Sequence, residues 1–252
     1  MWLRLRQIAL VAERLAPVEK EIVDVLGVEV CHRDPEVATF GLENALFPIG
    51  NQLLEVVAPV RPGTAAGRYL ERRGGNGGYM VITQCADHAP RRARVAELGI
   101  RLALDLDRPS YGLMQLHPKD TGGTFFELDE QRGDRAHDED GPWDPAGPDW
   151  QRARRTERVG GIAAAEIQCD DPVRVAARWS EIAEIPLADG GVLPLANAAL
   201  RFVPCEDGRP EGLGGIDIAA HDAAAILRAA DATGVRTGAR QIQLCGLRIT
   251  LV

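Results

Sequence analysis

Two glutamates stand alone inside apolar segments that are typical of strands. Glu127 lies between Phe126 and Leu128, after a turn rich in proline and glycine, and Glu55 lies within the apolar residues 53–57. A carboxylate in a buried strand must be paired, bind a metal ion or lie at a wet edge. The residues alone leave two interpretations open: solvated edge-strand glutamates, or metal ligands and general bases that face a cavity.

The elements that position these glutamates are predicted to form a repeat. A strand, a helix and three short strands are predicted twice in the first 130 residues. The repeat aligns Gln7 with Met80 and Glu55 with Glu127. An isolated edge glutamate has no reason to recur at the same place in both copies, so the duplication favours a paired site.

The boundaries within the first copy follow from local signals. A helix is predicted from Pro17 to the stop at Gly27, and short strands are predicted at residues 29–32, 39–48 and 52–57. The unit is therefore written β-α-β-β-β.

The chain then changes character. Residues 131–158 are dense in Asp, Arg, Gly and Pro without periodicity, which indicates a linker that packs through Trp143 and Trp150. Two more units are predicted after it. The predicted domains are residues 1–130, the linker 131–158, and residues 159–252.

Composition excludes several classes of protein. The net charge of −8 argues against nucleic acid and anionic membranes as partners, and no stretch approaches the ~20 apolar residues of a membrane span. The N-terminal residues predict no secretory signal. Five scattered cysteines without a CxxC pair indicate reduced thiols, so we expect a cytoplasmic protein. No GxSxG or phosphate-loop motif is present. A small-molecule substrate, and a monomer or homodimer, are expected.

Several segments of the chain resemble those of a known family. The paired units, the segment Leu-Leu-Glu-Val-Val-Ala-Pro that ends at Pro59, and Phe-Gly-Leu-Glu-Asn-Ala from Phe40 resemble the vicinal oxygen chelate superfamily, the group of glyoxalase I and the extradiol dioxygenases. The segment from His117 to Leu128 resembles methylmalonyl-CoA epimerases. The resemblance implies an α+β fold of two tandem glyoxalase-like domains, each an open curved β-barrel around a cup.

The resemblance also implies a site. Its metal positions fall on Gln7, Glu55, Met80 and Glu127, and the family most often has histidine at the first and third. The expected ligands are Gln7, Glu55 and Glu127, whose oxygens suit Mg²⁺ or Mn²⁺ better than Zn²⁺, Ni²⁺ or Fe²⁺. The alternative is a cup without metal, where the two catalytic glutamates repel and one gains a raised pKa.

Further residues are assigned around this cup. Met80, a poor ligand for a hard ion, is expected in the substrate-binding wall with His117 and Lys119. The matching positions in the second half are approximately Ala164, Arg201, Gly215 and Arg248. None is a good metal ligand, so the second domain is expected to bind no metal; its arginines are either solvated or hold an anion.

Two functions follow from the resemblance. The first is a metal-assisted isomerase, epimerase or lyase that acts through an enolate on a small carbonyl or acyl-CoA compound. The second is a non-catalytic binding protein that sequesters a small molecule and has lost the metal site.

Overall fold

The first β-sheet contains the first copy and the second copy of the repeat side by side. The computed structural model describes residues 2–252. The first seven strands are β1 (Leu3–Val11), β2 (Leu42–Ile49), β3 (Gln52–Pro59), β4 (Gly77–Cys85), β5 (Leu102–Asp107), β6 (Tyr111–Leu116) and β7 (Phe125–Gln131). They lie in the order β2-β3-β1-β4-β7-β6-β5. The pairs β1–β3 and β4–β7 are parallel, and β1–β4 joins the copies antiparallel.

The second sheet repeats this plan with one strand fewer. Its strands are β8 (Val159–Gln168), β9 (Leu193–Pro194), β10 (Ala199–Val203), β11 (Gly212–Ala220), β12 (Gln241–Leu244) and β13 (Leu247–Leu251). The order is β12-β13-β11-β8-β10-β9, again with a central antiparallel pair flanked by parallel pairs. The predicted α+β fold of two tandem, open glyoxalase-like sheets is confirmed.

Most of the helices cover one face of each sheet. The five α-helices are α1 (Leu15–Leu26), α2 (Ala65–Arg73), α3 (His88–Glu97), α4 (Pro172–Ala183) and α5 (Ala223–Thr233). In α1 the residues Val18, Ile22 and Val25 recur at helical spacing and are buried, and the helix ends at Gly27, whose φ of 68° suits only the left-handed region. Among residues 2–252, none of the helices is long and apolar enough to cross a membrane.

The helical faces of both sheets share one hydrophobic core. Helix α1 contacts α5, and α3 contacts α4, so the helices of the two halves meet each other. Phe126 of the first sheet stacks on Trp179 of α4 with ring centroids 4.1 Å apart. The glutamate-bearing face of the first sheet is the opposite one. Helix α2 packs on that face, where its buried residues Ala66, Tyr69 and Leu70 cluster with Val11, Val57 and Phe125.

One expected strand does not form. At residues 29–32 only His32 is bridged to the first sheet, through Leu46. Asp34 then caps a 3₁₀ turn, Pro35–Phe40, whose proline has no N–H to extend a ladder. The strand expected at residues 39–48 therefore begins only at Leu42.

The segment between the two sheets lies on the glutamate-bearing face. We call residues 132–158 the cap; it contains 3₁₀ turns at Asp144–Ala146 and Trp150–Ala153. Trp143, Ala146 and Trp150 form one apolar cluster with residues of that face, namely Ala9, Leu46, Leu53, Ile82 and Tyr111. Both tryptophans are 1% exposed, so the cap closes this part of the cup.

Arg6 attaches the cap to β1. Its guanidinium lies 5.3 Å from the ring centroid of Trp143 and 5.2 Å from that of Trp150. It donates to three backbone carbonyls, those of Asn51, Glu139 and Gly141. A buried arginine that lies against two aromatic rings and bonds several carbonyls fixes the path of the backbone around it.

Candidate active site

The register places the two glutamates at equivalent positions. Glu55 pairs with Ala9 on β1, and Glu127 pairs with Ile82 on β4. Each partner lies two residues after the aligned position, Gln7 or Met80, as the sequence repeat requires. Because side chains alternate across a strand, Gln7 and Met80 share the face of the glutamates. The structure thus brings together the four positions that the resemblance assigns.

Glu55 is held by two amide side chains. Gln7 Nε2 donates to Glu55 Oε2 at 2.9 Å, and Asn44 Nδ2 donates to Glu55 Oε1 at 2.7 Å. Burial raises the pKa of Glu55 to about 7, the two amides oppose this shift, and the charge of Glu127 adds to it. The Glu55 carboxyl can therefore gain or lose a proton near neutrality.

Glu127 belongs to a second polar cluster in the same cup. Gln115 Nε2 donates to Glu127 Oε2 at 2.8 Å and also contacts Met80 Sδ at 3.3 Å. Burial raises the pKa of Glu127, and hydrogen bonding with Gln115 and Asp129 opposes the shift. Tyr111 Oη donates to Asp129 Oδ2.

Asp129 holds its proton tightly. Burial, and next the charge of Glu127, raise the pKa of Asp129 well above its ordinary value. Its Oδ1 atom is buried, with no hydrogen-bond partner in the described part of the chain. A protonated Asp129 beside an ionised Glu127 removes the repulsion between two buried carboxylates.

The cap completes the site at Gln7. Trp143 Nε1 donates to Gln7 Oε1 at 2.9 Å, and the Trp143 ring packs edge-on against Tyr111 with centroids 5.5 Å apart. An indole N–H is only a donor, so the Gln7 atom beside it must be the carbonyl oxygen. The amide NH₂ of Gln7 then faces Glu55, which accepts its hydrogen bond.

This arrangement does not fit a divalent ion. Gln7 turns its NH₂ group, which cannot bind a cation, toward Glu55, and Trp143 occupies its oxygen. Both oxygens of Glu55 already accept amide hydrogen bonds. Among residues 2–252, no three His, Cys, Asp or Glu side chains form a group suited to a metal. Two of the three expected ligands, Gln7 and Glu55, are therefore bonded to each other, and Glu127 is bonded to Gln115 instead.

The expected substrate-binding residues lie on and beyond the strands that carry the second polar cluster. Met80 on β4 and Gln115 on β6 are half-buried, and His117 comes directly after β6. His117 Nδ1 accepts a hydrogen bond from the exposed Lys119 backbone N–H at 3.2 Å. Burial and, secondarily, the charge of Arg101 lower the pKa of His117.

Sequence reasoning missed several members of the site. Asn44 and Gln115 lie on predicted strands. Asp129 lies one residue beyond the predicted strand of Glu127 and two residues from that glutamate, so strict alternation places it on the same face. That signal was sufficient to find it. For Trp143 no local pattern could indicate its partner, since the cap is more than a hundred residues from Gln7.

The second sheet carries ion pairs at its corresponding face. Arg201 binds both oxygens of Asp217, at 2.7 and 2.9 Å, and lies 3.5 Å from Glu166. Arg248 lies 3.5 Å from Asp207. The two arginines are therefore neutralised by carboxylates of their own domain, and are neither isolated nor free in solvent.

Comparison with known proteins adds the following. No family model matches the sequence. An ethylmalonyl-CoA/methylmalonyl-CoA epimerase of Cereibacter sphaeroides is 26% identical over 132 residues, which are 50% of this chain and 97% of that protein. A methylmalonyl-CoA epimerase of Mycobacterium tuberculosis has a TM-score of 0.46 at 22% identity, covering 53% of this chain and 91% of the other.

A methylmalonyl-CoA epimerase of Streptomyces coelicolor in complex with 2-nitronate-propionyl-CoA gives a TM-score of 0.47 at 22% identity, covering 53% of this chain and all (100%) of that one. The resemblance found in the sequence is confirmed at this level: over about half of its length, the chain is similar to methylmalonyl-CoA epimerases, which are members of the vicinal oxygen chelate superfamily.

Proposed function

We propose that this protein is a glyoxalase-like isomerase of the epimerase type, which moves a proton next to the carbonyl of a small acyl-CoA or related compound. One observation carries the proposal: Glu55 and Glu127 occupy equivalent strands of two repeats, both are buried, and burial raises the pKa of each. The Glu55 carboxyl, with a pKa of about 7, exchanges its proton near neutral pH, and the raised pKa of Glu127 makes it a stronger base than an exposed glutamate. The similarity to an ethylmalonyl-CoA/methylmalonyl-CoA epimerase supports the same class of chemistry.

The proposed reaction needs one base and one acid. An ionised glutamate takes the proton from the carbon beside the carbonyl, and the electron pair of the broken C–H bond forms an enolate. A protonated carboxyl group on the other side then gives a proton back to that carbon, which inverts the centre. Glu55 and Glu127 suit these two roles because their mutual repulsion favours one proton on the pair.

The surrounding side chains support this division. Gln7 and Asn44 fix the carboxyl of Glu55, and Gln115 fixes that of Glu127. The second N–H of Gln115 Nε2 meets only the weak acceptor Met80 Sδ, so a substrate oxygen can replace the sulfur as its partner. We assign the acyl group to the wall at Met80, and an acidic group of the substrate to the rim at His117 and Lys119.

The proposal does not route a step through a metal ion, because the donor set does not fit one. The relevant control is direct: elemental analysis of the protein purified without chelator, beside the Glu55→Gln/Glu127→Gln double variant. Near-stoichiometric metal that is lost in the double variant would show that the cup rearranges to bind an ion and would overturn this part of the proposal.

The activity test is exchange of the substrate proton with solvent. Methylmalonyl-CoA and ethylmalonyl-CoA are incubated with the protein in deuterated buffer, and deuterium uptake beside the carbonyl is followed by NMR. We expect catalysed uptake that falls by about 100-fold or more in Glu55→Gln and in Glu127→Gln. Glu43→Gln is the matched control, since Glu43 lies exposed on β2 and does not face the cup. Full activity in both single variants and in the double variant would refute the assignment.

A second candidate function is binding without turnover. This function is favoured by the cap. Trp143 and Trp150 pack against the glutamate-bearing face, and the Trp143 N–H donates to the side-chain oxygen of Gln7. It predicts that an acyl-CoA binds with unchanged affinity in EDTA and shows no deuterium uptake. The exchange experiment therefore separates the two functions.

A further inference from the structure

A cleft lies between the two halves of the chain, away from the glutamate cup. Its volume is about 580 Å³, and residues of β1, the cap and β8 line it. Small-molecule sites commonly have volumes of about 300–1,000 Å³ and often lie between domains. The cleft is therefore large enough for a small organic ligand.

Two side-chain amides hold the walls of the cleft together. Gln52 Nε2 donates to Ile162 O at 2.9 Å, while Ile162 N donates back to Gln52 Oε1 at 2.7 Å. Asn197 makes the same pair of bonds with the backbone of Leu5, at 2.8 and 3.0 Å. Each side-chain amide binds both the N–H and the C=O of one residue in the other half of the chain, as a neighbouring strand would. These bonds hold the two walls of the cleft in place.

The cleft is rich in positive charge, although the chain as a whole is acidic. Arg4 and Arg6 line it and are 7% and 1% exposed. Neither forms an ion pair with any residue in the described range: Arg6 bonds only backbone carbonyls, and Arg4 bonds backbone carbonyls and the Gln84 amide oxygen. Burial lowers the pKa of both guanidinium groups, and nearby carboxylates, Glu139 and Asp138 at Arg4 and Asp140 at Arg6, oppose that shift. Arg4 Nη1 donates only to His137 O, so one of its two N–H groups has no partner among residues 2–252.

Two histidines, His137 and His221, also line the cleft. His221 Nδ1 lies 2.7 Å from Thr156 O, a carbonyl that can only accept, so Nδ1 carries the proton and Nε2 is an acceptor in the neutral ring. A Cβ atom on Gly160 would lie 2.5 Å from His221 Nε2, so the glycine lets this ring approach the backbone. Against Arg4 and Arg6, the lining of the cleft contains one carboxylate, Glu139.

An aromatic ring forms another wall. Trp2 is half-buried, its ring lies 5.0 Å from the Arg4 guanidinium carbon, and it packs edge-on against His137 with centroids 5.5 Å apart. A flat ring beside an unpaired cation offers one surface for the body of a ligand and another for its charge.

We propose that this cleft is a second binding site, which takes a small organic anion with its carboxylate or phosphate near Arg4 and Arg6 and its flat part against Trp2. The site is separate from the glutamate cup and does not depend on the proposed isomerase activity. Binding should weaken as salt is raised, because charge complementarity supplies part of the affinity.

The test uses three probes on the full chain: inorganic phosphate, benzoate and adenosine monophosphate, each titrated by calorimetry and by NMR of the Trp2 indole N–H. We expect at least one probe to bind with a Kd below about 1 mM. Benzoate alone would identify a carboxylate site, and phosphate with adenosine monophosphate would identify a phosphate site. Failure of all three to bind at millimolar concentration would overturn the proposal.

Two variants locate the binding. Ala163→Phe fills the cleft and should abolish binding, whereas Ala177→Phe, on the exposed face of α4, should leave it unchanged. Arg4→Gln should weaken binding by about tenfold or more. Should Arg4→Gln fail to fold, Ala163→Phe still decides, and binding by Ala163→Phe as strong as by the unmodified protein would refute the site.

Discussion

The indole N–H of Trp143 donates to the side-chain oxygen of Gln7, 136 residues away in the chain, and thereby sets which end of the Gln7 amide faces Glu55. This contact couples the cap to the candidate active site. It turns a group that would otherwise offer an oxygen to the cup into a donor toward a carboxylate.

Replacement of Trp143 by phenylalanine tests the coupling. The ring remains, but the oxygen of Gln7 is left buried without a donor, so we expect the free energy of unfolding to fall by about 1–3 kcal/mol. Urea unfolding measures it. Trp2→Phe is the control, since Trp2 is half-buried, and a change within about 0.5 kcal/mol is expected there. Equal losses in both variants would contradict a specific role for the Trp143 N–H.

The raised pKa of Glu55 makes stability depend on pH. Burial raises this pKa to about 7 from an ordinary value of 4.5, so the folded protein holds the proton more tightly than the unfolded chain. The free energy of unfolding should therefore fall as pH rises between these values, by up to about 3 kcal/mol from this group.

Glu55→Gln should remove that dependence, because glutamine resembles the protonated glutamate. We expect the variant and the unmodified protein to be similar at about pH 5, and the variant to be relatively more stable at about pH 8. Urea unfolding at both pH values gives the difference. Glu43→Gln, exposed on β2, should show no such pH-dependent gain. A constant difference between Glu55→Gln and the parent would show that Glu55 does not titrate in this range.

Loss of Arg6 should release the cap. Arg6→Met removes the donors to three backbone carbonyls and the cation beside Trp143 and Trp150. We expect faster tryptic cleavage within residues 132–158, because cleavage requires local opening of the segment. Arg14→Met removes an exposed arginine and serves as the control. Unchanged cleavage in Arg6→Met would mean that the tryptophans alone hold the cap.

The side-chain amides of Gln52 and Asn197, which join the two halves, should contribute to stability. We expect the two halves to unfold together. Gln52→Ala and Asn197→Ala each leave a backbone N–H and C=O unpaired, at an expected cost of about 1–3 kcal/mol. Because the hydrophobic core is shared by both sheets, the denaturant dependence should stay that of one transition. Gln243→Ala, exposed on β12, is the control. Two resolved transitions would show that the halves unfold separately.

The repeat explains why the sequence predicts the cup at all. Glu55 and Glu127 interrupt apolar strands at matching places, and the ladder keeps that register in three dimensions. The expected strand at residues 29–32 failed because a run of strand-forming residues needs a partner, and there the chain turns away at Pro35.

The hydrogen-bond pairing within the site was harder to predict than its position. Residue types at Gln7 and Glu55 specify donors and acceptors but not which of them meet. Asn44 and Trp143 decide that, and Trp143 comes from a segment without periodicity. Hydrogen-bond partners that are distant in sequence leave no local pattern.

The position of the cap has a consequence for how this protein can be divided. The covering of the first cup is supplied by the stretch that also joins the halves, so the first half is not a self-sufficient module. A fragment that ends after β7 would expose Leu46, Leu53 and Tyr111 to water. It would also leave the side-chain oxygen of Gln7 without its donor, the Trp143 N–H. Likewise, grafting the first half alone onto another protein would transfer the strands of the cup without the segment that determines which end of the Gln7 amide faces Glu55.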